Sequence, residues 1–215
     1  MTQIKKKENN NYGTLYIVRH GETDWNRDKL LQGHKGVGLN STGISQAEAA
    51  SKFFNELEID AIYTSDLPRA TETADLLYKK HTHKEVTSKL RERDYGKFEG
   101  RTLENIRAEH FPESLHMSIS EFWPQLENNS EVEGYDKITE RIMPYIEEIA
   151  TKHKRQNVLL VTHAGILRAI LVYLGYTTYP KLLRRGVMDN LAHIEIESDK
   201  KGLKVKTTKG INLED

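Results

Sequence analysis

Apolar positions fall along this chain in short unbroken runs separated by stretches of helical period. Leu15, Tyr16, Ile17 and Val18 form one run, and Val158, Leu159, Leu160 and Val161, preceded by Asn157, form another. Four consecutive apolar residues predict a strand buried on both faces. Ile59 to Tyr63 predicts another strand, and a short one lies near Val86. Between them, Leu39 to Gly43 lead into a helix that turns Ile44, Ala47, Phe54 and Leu57 inward and Gln46, Glu48, Lys52 and Glu56 outward. A second helix starts near Pro68 and runs through Ala70, Thr73, Ala74 and Leu77. Ile138, Ile142, Tyr145, Ile146 and Ile149 mark a third, capped by Asp136, and a fourth begins at Ile166 and stops at Gly175. Alternation from Ala192 to Glu197 predicts a half-exposed edge strand with His193 on the polar face beside Glu195 and Glu197, and Leu203 to Thr207 return as a hairpin. Strands alternating with helices place the chain in the α/β class.

Two of these strands end alike. Arg19, His20 and Gly21 follow the first, and Thr162, His163, Ala164 and Gly165 follow the last core strand. Open α/β sheets bind ligands at the carboxyl ends of their strands, and a glycine there lets the backbone turn sharply. A single histidine at such a place reads most simply as a hydrogen-bonded core residue. Its recurrence, with Arg19 beside one copy, favours a reactive site.

Three further features stand with two readings each. Arg69 falls in the first turn of its helix, where the macrodipole disfavours a cation. It either pairs with Asp66 or Glu72 on the surface, or presents its donor fork to a phosphate. Glu92 lies between Arg91 and Arg93 in a polar loop, Leu90 to Gly100, and is either a solvated ion pair or a carboxylic acid held at the mouth of the site. The weakly helical stretch 101–136 carries Ile106, Phe111, Phe122, Trp123 and Leu126, and nine acidic residues occur from Glu99 to Asp136. It reads as an insertion covering the site or as an ordinary outer layer of helices.

Composition narrows the chemistry. The 215 residues suit one domain, with 32 basic and 32 acidic side chains, so no global field selects nucleic acid or an anionic membrane. There is no cysteine, which removes disulfides, zinc thiolates and thiol-phosphatase chemistry. Lys5, Lys6 and Lys7 are not followed by an apolar run, so residues 1–12 read as a disordered lead-in without a signal peptide or anchor, and the expected location is cytoplasmic. His81 and His83 lack partners in a metal-binding pattern, and no metal site is expected.

Taken in order, Arg19, His20, Gly21, Glu22, Thr23 and Asn26, then Ser65, Arg69, Ala70, Thr73 and Ala74, then Glu92, Tyr95, Gly96, Glu99 and Gly100, and finally His163, Ala164 and Gly165, resemble the histidine phosphatase superfamily. That superfamily includes the cofactor-dependent phosphoglycerate mutases. The resemblance implies a three-layer α/β/α sandwich with a mostly parallel central sheet and an antiparallel edge strand, with residues 13–215 as one domain and 101–136 as its helical cover. It implies an acid-type histidine phosphatase without cofactor or metal. His20 would become a transient phosphohistidine, Arg19, Arg69 and His163 would bind phosphate, and Glu92 would donate the proton. Asn26, Gln32, Gly33, Ser65, Tyr95 and Ala164 would line the substrate and phosphate pocket. The implied partner is a small phosphorylated substrate, with neither nucleic acid nor membrane; a homodimer is compatible with the family, and nothing in the sequence selects a surface.

Within the resemblance, the mutases carry an arginine pair and a lysine for the substrate carboxylate. This chain has Phe122, Trp123, Pro124 and Gln125 in the corresponding region and Leu103 in place of the lysine, so the broad-specificity phosphatase branch is expected, with the mutase as the alternative and an inactive phospholigand-binding module as a third reading. Gly134, Tyr135 and Asp136 stand where many relatives have Gly, Glu, Ser, a difference at the pocket rim. Trp25, Phe98, Phe122 and Trp123 are candidates for an apolar pocket favouring bulky or aromatic esters, or for ordinary core.

Overall fold

The computed structural model describes residues 13–183, 186–199 and 202–213. The lead-in assigned to 1–12 therefore lies outside the described residues. Six strands form one sheet in the order β3-β2-β4-β1-β5-β6. They are β1 (Gly13–Arg19), β2 (Ala61–Ser65), β3 (His83–Thr87), β4 (Asn157–Thr162), β5 (Met188–Asp199) and β6 (Gly202–Ile211). The first four strands in chain order run parallel, and β5 and β6 are antiparallel to their neighbours. Leu15 sits opposite Val158 and Val18 opposite Val161, so the two histidine-bearing strands are adjacent and end together.

Strand geometry explains the layers. Successive side chains point to opposite faces, so Leu15 and Ile17 join Leu160, Ile142, Ile146 and Ile170 on one side, while Tyr16 and Val18 join Phe54, Ala70 and Leu77 on the other. Helices α6 (Tyr135–Lys152) and α7 (Ala164–Tyr173) cover the first face. Helices α2 (Ser41–Glu56) and α3 (Pro68–Leu77) cover the second. The short helix α1 (Asp24–Arg27) follows β1, closed by a reciprocal cap between Thr23 and Asn26. A third apolar cluster stands apart from the sheet. It gathers Tyr95, Phe98, Ile106, Phe122, Trp123 and Leu126 from the polar loop, α4 (Leu103–His110) and α5 (Ile119–Glu127), and Leu183 beyond α8 (Tyr179–Leu182).

Four local expectations are corrected. Ile44 is 42% exposed, because the buried stripe of α2 runs through Gly43, Ala47 and Phe54 and Ile44 falls beside it. Gly134, not Asp136, caps α6, and Asp136 lies in its first turn, where an acidic side chain still suits the dipole. The last core helix starts at Ala164, two residues before Ile166, with His163 at its N-cap. Finally, β5 is an interior strand, and β6 takes the antiparallel edge.

The position of β5 changes the reading of His193. It shares the parity of Glu195 and Glu197, but its end of that face lies under α2, stacked on Phe53 and packed edge-on to Phe54. His193 is 5% exposed, and burial, reinforced by Lys209, lowers its pKa to about 4. The unfolded chain titrates near 6.5 and so binds the proton more readily than the fold does. Stability is therefore expected to be complete above about pH 6.5 and to fall by about 1.4 kcal/mol per pH unit below it, about 3 kcal/mol by pH 4 from this residue. Urea unfolding between pH 7.5 and 4.5 should show a shallower acid slope in His193→Phe than in the wild type, and identical slopes would contradict the assignment.

Candidate active site

The site is assembled where β1 and β4 end. His20 extends the β1 ladder by one bond, its N–H donating to the Thr162 carbonyl at 3.0 Å. Gly21 then turns away and donates its N–H to Thr73 Oγ1 at 3.0 Å. A Cβ on Gly21 would stand 2.7 Å from the Gly43 carbonyl oxygen, so the close approach of the α2 N-terminus requires glycine here. The Asn190 side chain holds the His20 carbonyl from the other side at 3.1 Å.

The His20 ring is buried, with Nδ1 2.7 Å from the carbonyl oxygen of Gly21. A carbonyl only accepts, so Nδ1 carries the hydrogen and the lone pair resides on Nε2. Burial, with the charges of Arg69 and then Arg19, pushes the His20 pKa well below the ordinary histidine value. These effects favour the neutral imidazole at neutral pH. His163 lies beside it, with ring centroids 5.2 Å apart. Its Nε2 is 2.9 Å from Ser65 Oγ, while its buried Nδ1 has no hydrogen-bond partner. Burial and Arg69 likewise keep His163 neutral.

Both readings of Arg69 as a surface ion pair fail. Asp66 is held by Arg91 at 2.6 and 2.7 Å, and Glu72 accepts from the Leu39 N–H. Arg69 is fully buried, with Nη1 donating to the Lys35 carbonyl at 2.9 Å and Nη2 to that of Gly33 at 2.8 Å. Two neutral carbonyls fix the guanidinium without cancelling its charge. Arg19 is treated the same way, Nη1 donating to the Met188 carbonyl at 2.7 Å. Burial lowers both arginines to a pKa of about 10, which leaves them charged at neutral pH. The Nε atoms of both are buried without a partner. With His163 Nδ1, three orphaned nitrogens thus surround His20, a donor set suited to an anion.

Glu92 pairs with neither neighbouring arginine. Arg91 is taken by Asp66 and Arg93 by Glu127. The Glu92 carboxylate instead accepts from the Arg93 N–H at 2.8 Å and the Gly165 N–H at 3.1 Å, which holds it over the N-terminus of α7 beside His163. Of the pocket residues expected from sequence, Ser65 orients His163, Ala164 opens α7, and Gly33 supplies a carbonyl to Arg69 from a left-handed backbone (φ 48°). Gln32 is buried with an unpartnered Oε1, while Asn26 serves α1 as a cap and meets Asn190 at 3.4 Å. Tyr95 lies in the adjoining wall, its phenol pushed up by burial. Sequence reading assigned no role to Asn190, His34 or Thr73. His34 Nε2 lies 2.9 Å from the Glu92 carbonyl and ties the acid's loop to the Arg69 loop. Among the described residues, no three His, Asp or Glu side chains are grouped to hold a metal.

A family model for the histidine phosphatase superfamily, branch 1, matches residues 15–209. The chain belongs to the histidine phosphatase superfamily. It is 37% identical over 190 residues to the metal-independent phosphoserine phosphatase of Arabidopsis thaliana, covering 84% of this chain and 76% of that one. It is also 29% identical to the 2,3-bisphosphoglycerate-dependent phosphoglycerate mutase of Parvibaculum lavamentivorans, covering 87% and 91%. Among solved structures, Bacillus stearothermophilus YhfR superposes with a TM-score of 0.81 at 29% identity, over 94% of this chain and all of that one.

Arg19 also lines a cavity of about 380 Å³, walled by Tyr95, Leu103, Ile119 and Trp123 and edged by Lys29 and Arg168. The helices of 101–136 thus contribute directly to the space beside the histidines. Of the four aromatic candidates, only Trp123 faces it. Phe98 and Phe122 are 0% exposed inside the third cluster, and the Trp25 ring abuts Gly100. A helix with all its aromatics facing one pocket would have no core of its own, and this one divides them.

Proposed function

We propose that this superfamily member is a metal-independent phosphomonoester hydrolase that works through a phosphohistidine on His20. The observation that carries the reading is the bond from His20 Nδ1 to the Gly21 carbonyl, which commits the ring to one tautomer with Nε2 as nucleophile. Nε2 attacks phosphorus as the bond to the leaving oxygen breaks, and Glu92 delivers a proton to that oxygen. The resulting carboxylate then takes a proton from water as its oxygen bonds to phosphorus and the phosphorus–nitrogen bond breaks, which releases phosphate and returns the electron pair to His20 Nε2. Arg19, Arg69 and His163 stabilise the equatorial oxygens, the role metal ions play in other phosphoryl transfers.

Residues 13–215 act in this proposal as one domain with 101–136 as a cover, supported by β5 returning from beyond the cover to pair with β1. An acid-type activity is part of this proposal, supported by the role of Glu92 as proton donor in the first step. No helix among the described residues is long and apolar enough to cross a membrane, which accords with a cytoplasmic enzyme acting on a small phosphorylated metabolite. Likeness to the mutase favours a second reading, transfer between 2- and 3-phosphoglycerate. Phosphate release in EDTA from aryl, sugar, phosphoserine and phosphoglycerate esters, beside an isomerisation assay with 2,3-bisphosphoglycerate, separates the two. Release without isomerisation is expected; isomerisation without release would establish the mutase.

A further inference from the structure

We infer that the cavity beside the phosphate site contains a second anion subsite, formed by Arg168 with help from Lys29, and that the preferred substrates are phosphomonoesters of an apolar alcohol bearing another negative group. The inference rests on the phosphohydrolase reading for its chemistry, and on the cavity alone for its binding statement.

Arg168 lies on α7, five residues after His163, and is partly buried. Its Nε donates to the Leu182 carbonyl at 3.0 Å, a bond that fixes the plane of the guanidinium and leaves its charge uncancelled. No described carboxylate forms an ion pair with it. Arg168 and Arg19 line the same cavity, and the charge of Arg168 lowers the Arg19 pKa, an effect that Glu92 and Asp189 oppose. Two guanidiniums facing one cavity repel each other, and a structural role for Arg168 in holding Leu182 does not require that charge. An anion between them relieves the repulsion.

The rest of the wall defines what carries that anion. Tyr95, Leu103, Ile119, Trp123, Leu183 and Val187 offer little to a small polar body. A volume of about 380 Å³ also exceeds what a three-carbon acid fills, and lies in the range of ligand pockets. Lys29 stands on the exposed rim, held there by a left-handed backbone (φ 59°), and Glu104 stands on the same rim. In the proposed reaction the ester oxygen of a phosphate at His20 lies in line with Nε2 and within reach of Glu92, while Arg19, which holds an equatorial oxygen, also lines the cavity. The alcohol then extends along the apolar wall, and its far end meets Arg168.

The 3- and 4-carboxyphenyl phosphates, each compared with its isosteric carbamoylphenyl phosphate, isolate the charge. A charge-assisted contact predicts kcat/KM about tenfold higher for at least one carboxylate, expressed mainly in KM. The ratio should fall close to one in Arg168→Gln, recover in part in Arg168→Lys and drop less in Lys29→Gln. Calorimetric affinities of both compounds for His20→Ala give the same comparison without turnover. If neither compound is hydrolysed by the wild type but the carboxylate binds more tightly, the hydrolase reading fails and the subsite stands. Equal affinities, a preference for the amide, or a preference that survives Arg168→Gln would overturn the subsite.

Discussion

Replacement of His20 by alanine is expected to lower phosphate release by about 10⁴- to 10⁶-fold, the scale seen when a nucleophile acting as part of a unit is removed. The expectation follows from the geometry around one nitrogen. With Nδ1 committed to the Gly21 carbonyl, Nε2 is the ring atom available to phosphorus, and neither Arg19 nor Arg69 can substitute as a nucleophile while charged. His163 is neutral as well, but its Nε2 is engaged with Ser65 Oγ. Rapid quenching with a ³²P-labelled ester should trap an acid-labile, base-stable label on the wild type and none on His20→Ala. Undiminished turnover in the variant, or a label that persists, would refute the phosphohistidine.

Glu92→Gln should cost about 10²- to 10⁴-fold with alkyl esters, the range for losing a general acid. The loss should depend on the leaving group. A nitrophenolate departs without a proton, so the variant should release about one nitrophenol per active site in a burst and then stall, because water still needs the carboxylate to attack phosphohistidine. Wild-type enzyme, which retains the base, should show no comparable stall. Gly165→Ala offers a test with Glu92 present. A Cβ at 165 would lie 2.2 Å from Glu92 Oε1, so the carboxylate must leave its place over α7 even though every proposed catalytic side chain is kept. The same burst and stall is expected from it, with a smaller rate loss. A Gly165→Ala enzyme as fast as wild type would show that the position of Glu92 does not matter.

How much of this was legible beforehand differs by residue. The runs Leu15–Val18 and Val158–Val161 announced two core strands that each end in a histidine, because burial on both faces is written directly into local composition; that the strands are neighbours, which brings His20 and His163 together, came from the sheet order. His193 shows where that logic stops. Its period was right and its exposure wrong, since the residues that cover it, Phe53 and Phe54, lie some 140 positions earlier in the chain. The arginine and glutamate assignments stop at the same boundary. Asp66, Glu72, Arg91 and Arg93 were the obvious local partners for Arg69 and Glu92, and each is otherwise engaged in the fold.

The sequence by itself determined the α/β class, the two histidine-ended strands, the neighbouring glycines and the absence of thiol chemistry, all properties of residue type and short-range period. Only the tertiary structure decided which carbonyls hold Arg69, which amides hold Glu92, and that Arg168 faces the cavity. A buried polar group must find a hydrogen-bond partner wherever one is close in space, and closeness in space is set by how the layers pack, not by distance along the chain.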